Sequence, residues 1–317
     1  MGYWDRTDYA ATADSGCNTS RCVVSINELD ALHRQELLNR LSYERLQRKY
    51  NDIIAIYRSS DQDWGQTMHT LLFGVVGGRS NKMAFQRLAT RVRYAMLMRE
   101  NSALTSLEAM LLGGSGLIEL YPDDEYISFL KEEWRHLRAK YDISPMDISE
   151  WQLHHIYPNN HPTLRLMQLA ASLHNGAISM QSVTGCCCRK DVYELFSGRA
   201  SAYWVKQFMY DPTKNITRRI GQFKSDMLGI NFVAQMTFAY GSYTQSDTLI
   251  NRAIGLLEDI PSEQNIYTER WNSRGKISNN SFESQALLQL EFEYCSAHRH
   301  KQCPLAECLR IYGYKGE

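Results

Sequence analysis

The sequence has no uninterrupted apolar stretch of 18 residues, which excludes a membrane-spanning helix as a reading of it. Its opening, "MGYWDRTDYA", lacks the apolar segment of a secretory leader, and Arg6 stands where a myristoylation signal needs Ser or Thr. Charge of one sign is not in excess either: Lys+Arg and Asp+Glu are 35 each, so no global field points to nucleic acid or an anionic membrane. No G-x-x-x-x-G-K-[ST], G-x-S-x-G or H-E-x-x-H occurs, so a P-loop, a nucleophile elbow and a zincin helix are not indicated. No repeat of fixed period is found. Eight cysteines without a leader read as reduced thiols in the cytoplasm, and the N-x-S/T matches at Asn18, Asn215 and Asn279 then carry no glycosylation meaning.

What is present is ordinary globular material. Of 317 residues, 44% are hydrophobic, 11% aromatic and 22% charged, enough to build a substantial core. The even charge hides a local asymmetry. From His33 to Arg99 there are 12 bases and 5 acids, a net of +7, and from Glu108 to Glu150 there are 10 acids and 4 bases, a net of −6. "GRSNKMAFQRLATRVRYAMLMR" has six bases and no acid, and Lys214, Arg218, Arg219 and Lys224 form a second basic run. Such runs either present a polyanion-binding face or pair with the acidic segment across the fold.

Hydrophobic periodicity places most of the chain in helices. Residues 1–25 are small, polar and aperiodic, a loose lead-in, and 26–317 read as one helical domain with a possible subdivision near 176–190. "INELDALHRQELLNRLSYERLQRKYNDIIAIY" reads as one long amphipathic helix. "SSDQDW" offers Ser60 or Asp61 as the N-cap of the next helix, which "GVVGG" stops. Shorter patterns recur at 81–90, 103–112, 123–140, 163–174 and near 189–204, and "GAISMQSVTGCCCRK" reads as a loop. Aromatic and branched residues flanking "DPTKN" suggest a short β-hairpin near 200–224. Asp226–Tyr240, Ser246–Glu258, Ser262–Trp271 and Phe282–Tyr294 complete a mainly α fold of about ten to twelve helices.

Three clusters bear on chemistry. "EYCSAHRHKQCPLAEC" supplies Cys295, Cys303 and Cys308, with His298 or His300 as a fourth ligand for structural zinc; the Cys303–Cys308 spacing lies at the edge of a tetrahedral site's pairing range. Its alternative is a set of reduced thiols covering the last helix. In "GCCCRK", adjacent thiols point in different directions and cannot all ligate one ion, although Arg189 and Lys190 could lower a thiol pKa. "WQLHHIYPNNHPTLRL" gathers His154, His155 and His161, but no carboxylates stand in register; Pro158 and Pro162 suggest a rigid loop capping a helix that begins near Thr163.

In chain order, "LSYERLQRK", "RSNKMAFQRLA", "LEAMLLGGSGLI", "WQLHHIYPNNHPTLRLMQLA", "ASAYW", "INFVAQMTFAYG", "LLEDIPSEQN" and "ESQALLQLEFEYC" resemble the bacterial family called domain of unknown function 2851, over about Cys22 to Gly313. The resemblance implies a helical module whose longer relatives carry an upstream nuclease-like segment with Gly-Pro-Asp-Phe and Glu-x-His elements. Neither element occurs in this chain. It implies further that Pro158, Asn160, Pro162 and Arg165 belong to a shared pattern, in which Tyr157 replaces the usual Arg. Glu108, Arg165, Glu263, Asn265, Trp271 and Gln285 match as polar or aromatic positions that either line a pocket or serve as buried hydrogen-bonding groups. The family's terminal C-x-x-C is widened here to "CPLAEC", which weakens a metal role.

The expectation is therefore a module associated with nucleic acid or with a nuclease-like partner chain, acting on no membrane and needing no cofactor beyond a conceivable zinc. A protein-interaction scaffold, and an enzyme with a pocket around Arg165, Glu263 and Gln285, are the alternatives.

Overall fold

Asp30 divides what reads in sequence as one continuous helix. Its carboxylate accepts from the backbone N–H of Leu32 and His33, both at 3.0 Å, and an aspartate so engaged starts a helix instead of continuing one. In the computed structural model, which describes residues 19–207 and 216–311, Thr19–Glu28 (α1) and Ala31–Ser59 (α2) are accordingly separate. The stretch expected as a loose lead-in is thus helical from Thr19 onward. Asp63, not Ser60 or Asp61, caps the next helix, Trp64–Arg91 (α3), while Asp61 and Gln62 turn the chain at φ 54° and 60°. "GVVGG" interrupts this helix without ending it: Gly78 takes φ 60°, ψ −158°, open to glycine, and the helix resumes beyond it.

Tyr94–Arg99 (α4), Leu104–Gly114 (α5), Glu125–Tyr141 (α6), Pro162–Leu173 (α7), Met180–Gly185 (α8), Arg189–Leu195 (α9) and Ala202–Gln207 (α10) follow. Then come Gln222–Leu228 (α11), Ala234–Tyr243 (α12), Asp247–Asp259 (α13), Ile266–Trp271 (α14), Ser281–Gln289 (α15) and Pro304–Ile311 (α16). A π turn at Gly229–Val233 joins α11 to α12, and a second, Leu290–Cys295, extends α15. With α11 and α12 counted as one continuous helix there are 15 among the described residues, 11 of them seven residues or longer. The fold is mainly helical.

Among the described residues no strand forms, and the hairpin expected near 200–224 is corrected on both flanks. Ala202–Gln207 and Gln222–Leu228 are helices; the expected turn falls in 208–215, outside the described residues. Local β preference loses to packing here. Trp204 is fully buried, and Tyr203 lies with its ring centroid 4.6 Å from that of Tyr126 on α6, an arrangement a helical turn supplies. Likewise "GAISMQSVTG" holds α8, and Val183 and Cys186, near the suggested subdivision, pack into the larger core.

Two apolar clusters occupy the interior. The larger is centred on α3, α5–α7 and α11–α13, with α5 buried on every side. Contact there is so close that a Cβ on Gly113 would lie 2.2 Å from the Trp134 ring of α6. The smaller combines Val23 and Ile26 of α1, Trp271, Ile277, Leu287 and Leu305. Helix α2 serves both: Leu37, Leu38 and Leu41 belong to the smaller cluster, Leu46 and Ile53 to the larger.

Candidate functional site

On α2 the apolar stripe Leu38, Leu41, Leu46 is interrupted by two polar residues that are nonetheless buried, Ser42 and Arg45. The Ser42 hydroxyl donates to the Phe282 carbonyl at 2.6 Å, tying α2 to the start of α15. Arg45 is 8% exposed, and its Nε donates to Gln285 Oε1 at 2.6 Å. Gln285 Nε2 in turn donates to Glu263 Oε2 at 2.9 Å, and Asn265 Nδ2 donates to Glu263 Oε1 at 3.1 Å. An arginine, an amide and a carboxylate from three separated parts of the chain are thereby threaded into one polar network.

Burial dominates the electrostatics of this network. It pushes the Glu263 carboxyl above the ordinary range, partly offset by Arg45 and by the two amide donors. It also brings Arg45 down to about 10, with Arg48 adding to the depression. One turn along α2, Arg48 reaches Glu293 at 3.3 Å, and Lys49 reaches Asp52 at 3.5 Å. The Lys49 ammonium sits below its usual range because it is desolvated and because Arg45, Arg48 and Lys82 crowd it. Arg45 Nη1 is a buried donor that makes no hydrogen bond among the described residues, and Arg48 Nε meets Glu293 in an ion pair without hydrogen-bond geometry.

The residues expected to form one site divide into two. Glu263, Asn265 and Gln285 converge, but the arginine among them is Arg45, not Arg165. Arg165 lies at the start of α7, where Nη2 donates to Asn160 Oδ1 at 2.8 Å and Nη1 to Gln168 Oε1 at 2.9 Å. Pro162 opens that helix and Pro158–Asn160 forms a 3₁₀ turn before it, the rigid capping loop that the proline spacing suggests. Trp271 joins neither group: it is fully buried in the smaller core, its indole N–H donating to Glu291 at 3.1 Å, and Arg270 pairs with the same carboxylate. Glu108 is also fully buried; the Tyr126 hydroxyl donates to it at 2.5 Å, and burial raises its pKa.

The terminal cysteines are apolar neighbours of the smaller core. Cys295 and Cys303 are buried within it, and Cys308 packs against it. Among the described residues no three His, Cys, Asp or Glu side chains are placed to share a metal ion. In "GCCCRK", Asp191 Oδ2 accepts from the backbone N–H of Cys187 and Cys188 at 2.7 and 3.1 Å, so the run is a helix start. Burial pushes the Cys186 thiol up to about 12, well away from a reactive thiolate.

A family model described as protein of unknown function, DUF2851, matches residues 6–266. The chain belongs to the DUF2851 family. No curated protein and no solved structure matches it. In this DUF2851 chain the match stops at the first residue of α14, so the resemblance read across α15 and the terminal cysteines lies beyond the matched segment. Arg45, Arg165 and Glu263 fall inside it; Gln285, which bridges Arg45 to Glu263, falls outside.

Sequence reasoning passed over Arg45 and Gln168, and met Lys224 only as a member of a basic run. A signal for Arg45 was available, because a base at the i+3 and i+4 spacing of a leucine stripe faces the core. The run around Lys224 did not say where its amine goes: a tertiary contact fixes its place, with Nζ donating to the Val75 carbonyl of α3 at 3.1 Å.

Proposed function

We propose that this helical module associates with nucleic acid by holding backbone phosphates on the basic face of α2 and α3. The observation that carries the reading is the crowding of Arg48 and Lys49 with Lys82 beside the buried Arg45: Glu293 and Asp52 reach Arg48 and Lys49, and Lys82 adds a further base to the same face. Crowding cations costs free energy in isolation, and phosphate oxygens relieve that cost while releasing counterions. Elsewhere in the basic segment charge is absorbed by ion pairs: Arg87 and Arg91 reach Glu150 at 2.7 and 3.6 Å, Arg93 reaches Asp61 at 3.3 Å, and Arg40 reaches Glu307 at 3.1 Å. Those pairs favour α2 and the resumed part of α3 as the contact surface. A nuclease-like partner chain is the chemical setting in which such a module would serve.

Fluorescence anisotropy with short single- and double-stranded DNA and RNA tests this. Binding at low salt is expected to weaken with a log–log slope of about −2 to −4 as salt rises, from three or four phosphate contacts. Lys49→Glu with Lys82→Glu should lower affinity by about tenfold or more, since each reverses a charge at the contact. Absence of binding at low salt, or binding indifferent to salt, rejects the reading in favour of a protein-interaction scaffold.

A further inference from the structure

The start of α7 presents an electrostatic arrangement that the nucleic-acid reading does not use. Arg165 is 7% exposed, yet among the described residues its guanidinium is met only by the neutral amide oxygens of Asn160 and Gln168, and its Nε is buried without a hydrogen bond to them. Lys224, half-buried on α11, donates to the Val75 carbonyl just before the Gly78 break in α3. Gln168, which accepts from Arg165, also donates to the Arg219 carbonyl five residues before Lys224, so the start of α11 is tied to α7, and no carboxylate among the described residues is a cause of either cation's behaviour. The opening turn of α7, 12 residues long, carries no side-chain cap, and the Thr163 hydroxyl within it is fully buried without a partner.

Each of these features has the same sign. A helix N-terminus is the positive end of its dipole, with backbone N–H groups pointing outward. An arginine whose side chain runs back toward that end, as the bond to Asn160 shows, normally meets an acid there. A second cation beside it compounds the cost of a desolvated charge that has no counter-charge. Desolvation first, and then Arg165, brings the Lys224 amine down to about 7, in keeping with a cationic pair lacking an anion. Asn160 itself is exposed, so the Arg165 guanidinium lies directly beneath the surface on that side.

We propose that Lys224, Arg165, the Thr163 hydroxyl and the opening turn of α7 form a binding site for a small oxyanion, specifically a phosphate group. A phosphate dianion matches the two cations in charge. Its four oxygens can accept from Lys224 Nζ, from the guanidinium as Asn160 swings aside, from the Thr163 hydroxyl and from the backbone N–H of Thr163 and Leu164, Pro162 having none and that of Arg165 being bonded to His161. The basic run singled out in the sequence around Arg218 and Arg219 contributes backbone: the carbonyls of Thr217 and Arg219 accept from Gln168 Nε2 at 2.9 and 3.3 Å, holding Gln168 against Arg165. This site is separate from the Arg48–Lys49–Lys82 face and stands whether or not that face binds nucleic acid.

Titration of the purified chain with inorganic phosphate at constant ionic strength, followed by calorimetry and ³¹P line width, tests the proposal. Saturable binding is expected, with a rise in melting temperature that an equal ionic strength of chloride does not give. Lys224→Met should weaken binding at least about tenfold while the protein stays folded. Thr163→Val, which keeps side-chain volume, should weaken it less. Lys49→Glu with Lys82→Glu should leave phosphate binding unchanged while reducing nucleic-acid affinity, so the two readings fail independently. Competition by methyl phosphate identifies the phosphoryl group of a larger ligand as the natural source; lack of competition identifies free phosphate. No saturable binding, or equal binding by Lys224→Met, overturns the proposal.

Discussion

Arg45 and Arg165 are withdrawn from water to nearly the same degree, at 8% and 7% exposure, but their surroundings differ in kind. Around Arg45 the negative charge is built in: Glu263, Glu293 and Asp52 all act to hold it charged, the first through the Gln285 amide. Around Arg165 the acceptors among the described residues are neutral amides, and the charge acting on Lys224 is that of Arg165, of the same sign. A buried arginine can thus be either a finished structural tie or a charge waiting for one of opposite sign. What distinguishes the two is the inventory of acids around it, not depth of burial.

The largest expected effect comes from unmaking the finished network. Glu263→Leu leaves Arg45 and Gln285 without their carboxylate and should cost about 2–3 kcal/mol in urea unfolding, a buried charge having lost a partner. A neutral result would mean that Glu293 and Asp52 suffice for Arg45. The opposite sign is expected at α7. Lys224→Met removes an uncompensated cation and should stabilise the phosphate-free protein by about 1–2 kcal/mol, as replacing buried ions by apolar groups commonly does. If both substitutions destabilise equally, the contrast between the two arginines collapses.

The pH dependence sharpens the same contrast. The Lys224 amine titrates near 7 in the folded chain against an ordinary 10.5. Below 7 both folded and unfolded states hold the proton, so the full cost of burying the ammonium is present. Between 7 and 10.5 the unfolded chain binds more protons, and stability rises with pH as that cost is relieved. The stability advantage of Lys224→Met over the parent should therefore shrink across this window by about 1 kcal/mol, a figure reduced for the partial exposure of the side chain. Paired denaturation curves at pH 6.5 and 9.5 read it; an advantage that does not change with pH removes Lys224 as its source. Smallest of all, Asn160→Asp supplies Arg165 with the acid it lacks. It should stabilise the chain by less than about 1 kcal/mol, because position 160 is exposed, and should weaken phosphate binding by occupying the guanidinium.

Much of this architecture was legible beforehand, and the exceptions have physical reasons. The helical class, the amphipathic stripe of α2 and the proline-started α7 follow from periodicity and from proline's fixed φ, which act locally. The hairpin reading failed because Trp204 and Tyr203 look like strand residues until α6 supplies the aromatic surface that they pack against as a helix. Of the polar and aromatic residues singled out, Glu108, Arg165, Trp271 and Gln285 are buried, Glu263 and Asn265 half-buried and Asn160 exposed, and their grouping was not readable. Arg165 and Glu263 stand 98 positions apart in the chain and belong to different networks, whereas Arg45 and Gln285, 240 apart, are bonded.

By itself, the sequence determined the helical class, which faces are apolar, and that bases concentrate in one stretch and acids in another. Those are properties of neighbouring residues, set by side-chain period, capping and proline geometry. Only the tertiary structure decided which charges are compensated. Whether a cation meets a carboxylate or an amide depends on helices hundreds of residues apart being brought within a few ångströms, and electrostatic energy depends on that distance and on the water excluded there.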